Sequence, residues 1–151
     1  MFDEVKKTLP VDIAICAAAV SDFKPTKKNK NKLKKDKNNL KVLQLEKNRD
    51  ILEYLCKNNK SRPKLVIGFA AETENLSKNA MSKLREKNCD FIIANDVSKK
   101  DTGFNSEFNK VLIINNHGII RKISKNKKSF IANKIAEIVV NKLLINDRNF
   151  N

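Results

Sequence analysis

The sequence predicts an α/β protein built on a mostly parallel β-sheet, with helices on both faces and a C-terminal β-hairpin at the sheet edge. Two observations carry that expectation. Short apolar runs at residues 11–20, 65–71 and 91–94 alternate with stretches whose apolar residues recur at helical spacing, and parallel strands need such helical crossovers. Two Ile-rich runs then flank Asn115-Asn116-His117-Gly118, a tight-turn signature between antiparallel strands. With 151 residues, 40% of them hydrophobic, there is apolar material for one modest core and not for two, so a single domain over 1–151 is expected.

In chain order, Phe2, Val5 and Leu9 share one helical face, closed by Pro10. Residues 11–20 place Ile13 and Ile15 before three alanines and read as a buried strand running into a close-packed turn. Residues 23–39 are polar and lysine-dense with Pro25 near the start, an exposed basic loop that is flexible over about 24–39. Leu40, Val42, Leu43 and Leu45 indicate a second strand. Asn48 or Asp50 then caps a helix through Asn59 that buries Ile51, Leu52 and Leu55, and Pro63 ends the unit. Residues 65–71 form a further buried strand, and Thr73 or Glu74 opens a helix with Leu76, Ala80 and Leu84 on one face. Residues 91–94 are the next strand. The hairpin follows at 111–114 and 119–123, and a last helix over 129–144 presents Ile131, Ile135, Ile138, Val139 and Leu143 as its apolar stripe. Neither an internal repeat nor a domain linker is visible.

Composition narrows the chemistry. No apolar run approaches the roughly 20 residues of a membrane span, and residues 1–10 mix charges into their apolar positions, so no membrane association and no secretory leader are expected. The expected compartment is the cytoplasm. Cys16, Cys56 and Cys89 are odd in number, far apart and outside any Cys-x-x-Cys, which argues against a disulfide framework or a thiolate zinc site; all three read as reduced packing residues. Three glycines, Gly68, Gly103 and Gly118, cannot build a glycine-rich phosphate loop. A single histidine, His117, excludes a multi-histidine metal site and reads as a turn residue.

Thirty-two basic against 17 acidic residues leave a formal charge of +15. Lys, Asn and Ile are abundant, and A- and T-rich codons favour all three, so codon bias can supply basicity without a polyanionic partner. Lysines nevertheless crowd the stretch from Lys24 to Lys47 against only Asp36 and Glu46, a concentration suited to a phosphate-rich ligand. A nucleic-acid-binding module is the competing reading. It is disfavoured because that stretch has no aromatic residue beyond Phe23 at its start and the whole chain has one Tyr and no Trp, leaving few rings there on which bases can stack.

In an open parallel sheet, ligands collect beyond the carboxyl ends of the strands. Three sequences reach that edge: Ala17-Ala18-Ala19-Val20-Ser21-Asp22, Gly68-Phe69-Ala70-Ala71-Glu72-Thr73 and Ala94-Asn95-Asp96-Val97. Alanines admit a planar ligand to the backbone, Asp22 can accept hydrogen bonds from ribose hydroxyls, and Phe69 can pack a ring face. The same small residues also serve plain helix packing, with Asp as a cap. Lys83 and Lys87 are four apart on one helical face, where an anion between them would offset their repulsion; a solvated lysine face is the simpler alternative.

Five ordered blocks make a more specific pattern. They are Ala17-Ala18-Ala19-Val20-Ser21-Asp22-Phe23-Lys24-Pro25, Lys32-Leu33-Lys34-Lys35, Lys47-Asn48-Arg49-Asp50-Ile51-Leu52, Gly68-Phe69-Ala70-Ala71-Glu72-Thr73, and Lys87-Asn88-Cys89-Asp90 with Ala94-Asn95-Asp96-Val97. Over nearly the whole chain, in order and spacing, they resemble the phosphopantothenate–cysteine ligase family, which in many bacteria is the C-terminal half of the bifunctional coenzyme A biosynthesis flavoprotein. The resemblance implies a Rossmann-like sheet and a reaction in which CTP activates the carboxylate of 4'-phosphopantothenate as an acyl-cytidylate, which L-cysteine then aminolyses. By the same resemblance Cys16, Ala17 and Ala18 read cytosine through their backbone and Asp22 meets the ribose. Arg49, Asp50, Ile51 and Leu52 form a nucleotide-contacting turn, Phe69 is a further contact, and Lys83 and Lys87 bind phosphate. Lys32 is the expected catalytic lysine that reaches the triphosphate, possible across a dimer interface. It is chosen over Lys30 and Lys34 by the Lys-Leu-Lys-Lys match.

The resemblance further implies Mg²⁺, with unknown protein ligands, and a homodimer or a partner chain. Two departures stand out. Arg49 replaces the usual proline of an Asn-Pro-Asp turn, which removes a fixed φ before Asp50. The family's initial strand, glycine-rich segment and intermediate-stabilising asparagine have no counterpart here, nor does the flavin-binding half, so FMN is not expected. The chain therefore reads as a ligase domain lacking its N-terminal portion. An inactive or partner-dependent remnant that still binds nucleotide is the alternative.

Overall fold

The computed structural model describes residues 1–27, 42–57, 60–98 and 106–148, with the side chains of 145–148 excepted. Helix α1, Phe2–Thr8, leads into strand β1, Ile13–Cys16. Strands β2, Phe23–Pro25, and β3, Leu45–Lys47, pair antiparallel as a separate ribbon, with Lys24 opposite Glu46 and their charges 3.2 Å apart. Helix α2, Ile51–Lys57, strand β4, Leu65–Glu72, helix α3, Leu76–Lys87, and strand β5, Phe91–Asp96, follow. Strands β6, Phe108–Asn115, and β7, Gly118–Lys127, form the hairpin, and helix α4, Lys128–Arg148, ends the described chain.

The main sheet has the order β1-β4-β5-β6-β7. Strands β1, β4 and β5 run parallel, and β6 and β7 close the far side antiparallel, so the expected α/β sheet with a hairpin at its edge is present. Alternation along the strands separates two cores. Val66 and Ala70 of β4, Ile92 and Ala94 of β5 and Ile114 of β6 face Leu52, Leu55 and Cys56 of α2 and Ala80 and Leu84 of α3. On the other face Leu65, Ile67, Phe91, Ile93, Val111 and Ile113 meet Ile131, Ile135 and Val139 of α4, the stripe read from the sequence. Each of these large side chains, taken fully out of water, contributes about 1.5–3 kcal/mol. Coverage thins at the β1 edge, where Ile15, beside Ile67, is 51% exposed.

Gly68 sits in the middle of β4 for lack of room. A Cβ there would lie 2.7 Å from a Leu52 methyl and 2.8 Å from an Ile92 methyl, so its absence lets the first turn of α2 pack directly on the sheet. Among the described residues no helix is long and apolar enough to cross a membrane.

Four sequence expectations are corrected. The buried strand and close-packed turn read over residues 11–20 are the four-residue β1, an edge strand with no fully buried residue, followed by an exposed turn from Ala17 to Asp22. Of the strand expected from Leu40 to Leu45, Leu40 lies outside the described residues; the strand present is β3, Leu45–Lys47, and it is not in the five-stranded sheet. Residues 23–25, read as loop, are its partner β2. A two-stranded ribbon buries neither face, so it leaves no apolar alternation to detect. Helix α3 is opened by Asn75 in a left-handed conformation (φ 47°), not by Thr73 or Glu74, and Asn tolerates that conformation better than either. The other end of α3 also uses a left-handed Asn: Asn88 (φ 60°) donates its N–H to the carbonyls of Arg85 and Leu84.

Candidate functional site

A cleft of about 560 Å³ runs along β1, past Val11, Ile13, Ala14 and Ile15, to the residues that follow the carboxyl end of that strand, walled on one side by α1 and on another by the start of α2. From β4, Phe69 in mid-strand lines it. Cys16, Ala17 and Ala18 line it as β1 runs out, followed by Asp22. Arg49, Asp50, Ile51 and Leu52 supply the wall at the start of α2, and Phe69 and Lys83 complete it. Thus the turn after β1, the 49–52 turn and Phe69 converge on one crevice, whereas Ala19, Gly68 and residues 70–73, also singled out in the sequence, do not line it. The third strand end does not line it: Asp96 accepts hydrogen bonds from the N–H and hydroxyl of Ser98, at 3.0 and 2.6 Å.

The start of α2 is built around Asp50. Its Oδ1 accepts the Glu53 N–H at 2.9 Å, which makes Asp50 the cap of the two residues considered. The other candidate, Asn48, instead turns to the β1 side and donates its side-chain amide to the Ser21 carbonyl at 2.7 Å. Capping therefore proceeds without the fixed φ of a preceding proline. Arg49 at that position lies over the Phe2 ring at 5.0 Å, and Phe2 packs on Tyr54 with ring centroids 4.8 Å apart. This stack ties α1 to α2, its cation–π contact contributing about 0.5–1 kcal/mol where exposed.

The two lysines of α3 differ sharply. Lys83 lines the cleft, and its ammonium donates to the Phe69 carbonyl at 3.1 Å, which leaves two further donor protons. Lys87 is not among the lining residues. Its ammonium lies 2.9 Å from Glu86, 3.2 Å from Asp50 and 3.4 Å from Glu53. The hydrogen bond to Glu86 raises its pKa most; burial opposes the rise, and Asp50 and Glu53 add to it. Burial would push the Asp50 carboxyl up, but the Glu53 N–H and the Lys87 ammonium outweigh it and hold it below the usual range. Mutual repulsion of Lys83 and Lys87 is thus relieved by protein carboxylates and a carbonyl. Lys32, with Lys30 and Lys34, lies outside the described residues.

Cys16 is half-buried on the cleft wall and its thiol is pushed up, first by burial and then by Cys56 and Asp50. Cys56 and Cys89 are buried with their sulfurs 3.4 Å apart. All three are free thiols, as expected. His117 sits in the β6–β7 turn, where its N–H donates to the Asn115 side chain at 2.9 Å. Because β6 runs antiparallel to β5, that turn is at the rim opposite the cleft. Among the described residues no group of three or more His, Cys, Asp or Glu side chains could hold a metal ion.

Sequence reasoning missed a polar knot at the opposite end of the strands. Asp90 Oδ2 accepts the Val66 N–H at 2.7 Å and an Arg62 N–H at 3.0 Å, while Arg62 also donates to the carbonyls of Cys56, Pro63 and Asn88. One guanidinium thereby joins the end of α2, the approach to β4 and the turn into β5. The spacing of Asp90 within its block was visible, but its partner lies 28 residues away.

A sheet with a parallel edge and an open crevice along its first strand, lined by small residues, the carboxylates of Glu4, Asp22 and Asp50, and the cations of Arg49 and Lys83, makes this an α/β domain with a cleft. Residues 1–143 match the family model described as the DNA/pantothenate metabolism flavoprotein C-terminal domain, and the chain belongs to that family. It is 43% identical over 129 residues to the coenzyme A biosynthesis bifunctional protein CoaBC of Borreliella burgdorferi, covering 85% of this chain and 32% of that protein. It is 36% identical over 133 residues to a cysteine/cysteine sulfinic acid decarboxylase of an unknown prokaryotic organism, covering 88% and 35%. The solved C-terminal domain of a coenzyme A biosynthesis bifunctional protein CoaBC superimposes with a TM-score of 0.71 at 30% identity, over 97% of this chain and 61% of that one. The chain spans about a third of the length of these curated relatives.

Proposed function

We propose that this chain carries the nucleotide-binding part of a CTP-dependent phosphopantothenate–cysteine ligase of coenzyme A biosynthesis. The observation that supports this reading is the gathering of Cys16, Ala17, Ala18, Asp22, the 49–52 turn, Phe69 and Lys83 around one cleft. The cytosine ring lies against the backbone of Cys16 to Ala18, where the absence of large side chains admits a planar group. Asp22 accepts hydrogen bonds from the ribose. Lys83 turns its remaining donors to the phosphates.

The carboxylate of 4'-phosphopantothenate attacks the α-phosphorus of CTP, the bond to the β-phosphate oxygen breaks, and pyrophosphate leaves. The cysteine amine then attacks the acyl carbon, CMP leaves, and the amine loses a proton. The first step brings two anions together, and ammonium groups offset that repulsion. Lys32 and Lys83 are assigned to that task. Lys87 serves through Asp50, whose carboxylate it holds at the start of α2. Among the described residues no group of three or more His, Cys, Asp or Glu side chains could hold a metal ion, so Mg²⁺ would be carried mainly by the phosphates of the nucleotide, where it would offset their charge.

The test is release of pyrophosphate by the purified chain with CTP, phosphopantothenate and Mg²⁺, with Lys32→Gln as control. CTP-dependent release that the substitution abolishes supports the reading. Nucleotide binding without release limits the chain to binding. RNA binding that falls steeply with salt and ignores CTP replaces the proposal with a nucleic-acid role.

A further inference from the structure

We propose that Asn48 is a positioning residue for the sugar of the bound nucleotide, acting by fixing the backbone that presents Asp22; this rests on the nucleotide reading above. Asn48 is half-buried between the two turns that wall the cleft. Its side-chain amide donates to the Ser21 carbonyl at 2.7 Å, and its backbone N–H donates to the Asp22 carbonyl at 2.8 Å. One residue of the α2 approach therefore holds two consecutive carbonyls of the turn that follows β1. The Ser21 hydroxyl, donating to the Phe23 carbonyl at 2.7 Å, fixes the same turn from its other side.

The carboxylate of Asp22 is left differently. It lines the cleft, and among the described residues no hydrogen bond or ion pair engages it. An acceptor on a doubly held backbone is partly preorganised, because the backbone share of the entropy of placing it has already been lost on folding. Its two oxygens match a vicinal diol, which offers two hydroxyl donors side by side. A sugar lacking one hydroxyl leaves one oxygen without its donor. Asn48 thus bears on discrimination between ribose and deoxyribose while touching neither.

The experiment compares the affinities of the chain for CTP and for 2'-deoxy-CTP, by calorimetry, in wild type, Asn48→Asp, Asn48→Ala, Asp22→Ala and the Asn48→Asp/Asp22→Ala double variant. Asn48→Asp keeps the side-chain size but replaces the donating amide with a carboxylate that repels the Ser21 carbonyl. Wild type is expected to favour CTP by about tenfold, the worth of one charge-assisted hydrogen bond at its lower end. Both Asn48 variants bring that preference within about twofold by weakening CTP alone, and Asn48→Asp adds nothing once Asp22 is Ala. A ratio of two affinities on one preparation does not depend on the fraction folded. An unchanged ratio in both Asn48 variants, equal loss for both nucleotides, or a full additional effect in the Asp22→Ala background overturns the inference while leaving CTP binding intact. Failure of wild type to bind either nucleotide overturns the functional reading beneath it.

Discussion

The Lys87 ammonium lies 3.2 Å from the carboxylate of Asp50, and that carboxylate also caps α2 by accepting the Glu53 N–H at 2.9 Å. The contact joins the last turn of α3 to the first turn of α2 and makes the cleft wall a braced element. Lys87 is held by three carboxylates, which explains why it faces away from the crevice that Lys83 lines.

Asp50→Asn keeps the cap and removes the charge, so it should cost under about 1 kcal/mol at neutral pH, given how exposed Asp50 is. Asp50→Ala removes both and should cost about 1 kcal/mol more. The folded-state pKa of Asp50 is depressed, so its contribution is present above the unfolded value near about 3.9 and fades as pH falls through the folded one. Lys87 is raised, so its share is complete below about pH 10.4 and is lost only at more alkaline pH. Urea titrations at neutral and strongly acid pH check this: the gap between wild type and Asp50→Asn should close on the acid side.

Removing the knot at the other end of the sheet should be more damaging. Arg62→Ala and Asp90→Ala each leave partly buried donors or acceptors without partners and should cost about 1–3 kcal/mol. The exposed Lys64–Asp12 pair, 3.0 Å apart, should contribute under about 1 kcal/mol when Asp12 is replaced by Ala. Thermal unfolding of the three variants ranks them. Equal losses would mean that the knot is no more than surface charge.

Alkylation gives a third check. Cys16 is the one thiol on the cleft wall, and its raised pKa keeps it mostly protonated at neutral pH. Iodoacetamide should modify it slowly, with a rate still climbing at about pH 9, where an ordinary thiol of pKa about 8.5 is largely ionised. CTP should slow the reaction further. Cys56 and Cys89, buried together, should react only on unfolding, as peptide mapping after quench would show.

Lys83→Ala should weaken CTP binding by about tenfold or more, since a charge-assisted hydrogen bond is worth about 1.5–3 kcal/mol. Lys83→Met, similar in length without the charge, should lose as much. Calorimetric titration with CTP reads both, and unaltered affinity would remove Lys83 from the phosphate site.

Much of this molecule was legible because its central strands are apolar without interruption. Residues 65–71 admit few readings, and the spacing of Ile131, Ile135 and Val139 places α4 on the sheet. The cleft residues were legible as separate blocks, and parallel pairing brings their ends together. What escaped depended on contacts between distant residues. Nothing local told that Asn48 would leave the cap to Asp50, or that Lys87 would find carboxylates on another helix. The β2–β3 ribbon escaped because exposed strands carry no periodic signature, and Asn75 because a positive φ is set by the chain path around it.

Gly68 has no place on the crevice wall, yet it lies directly behind Leu52, which does. A methyl added there would act as a spacer from behind, lifting Leu52 and with it the floor on which a bound molecule rests. The recess is therefore adjustable from a residue outside its lining, which a screen confined to the visible wall would overlook.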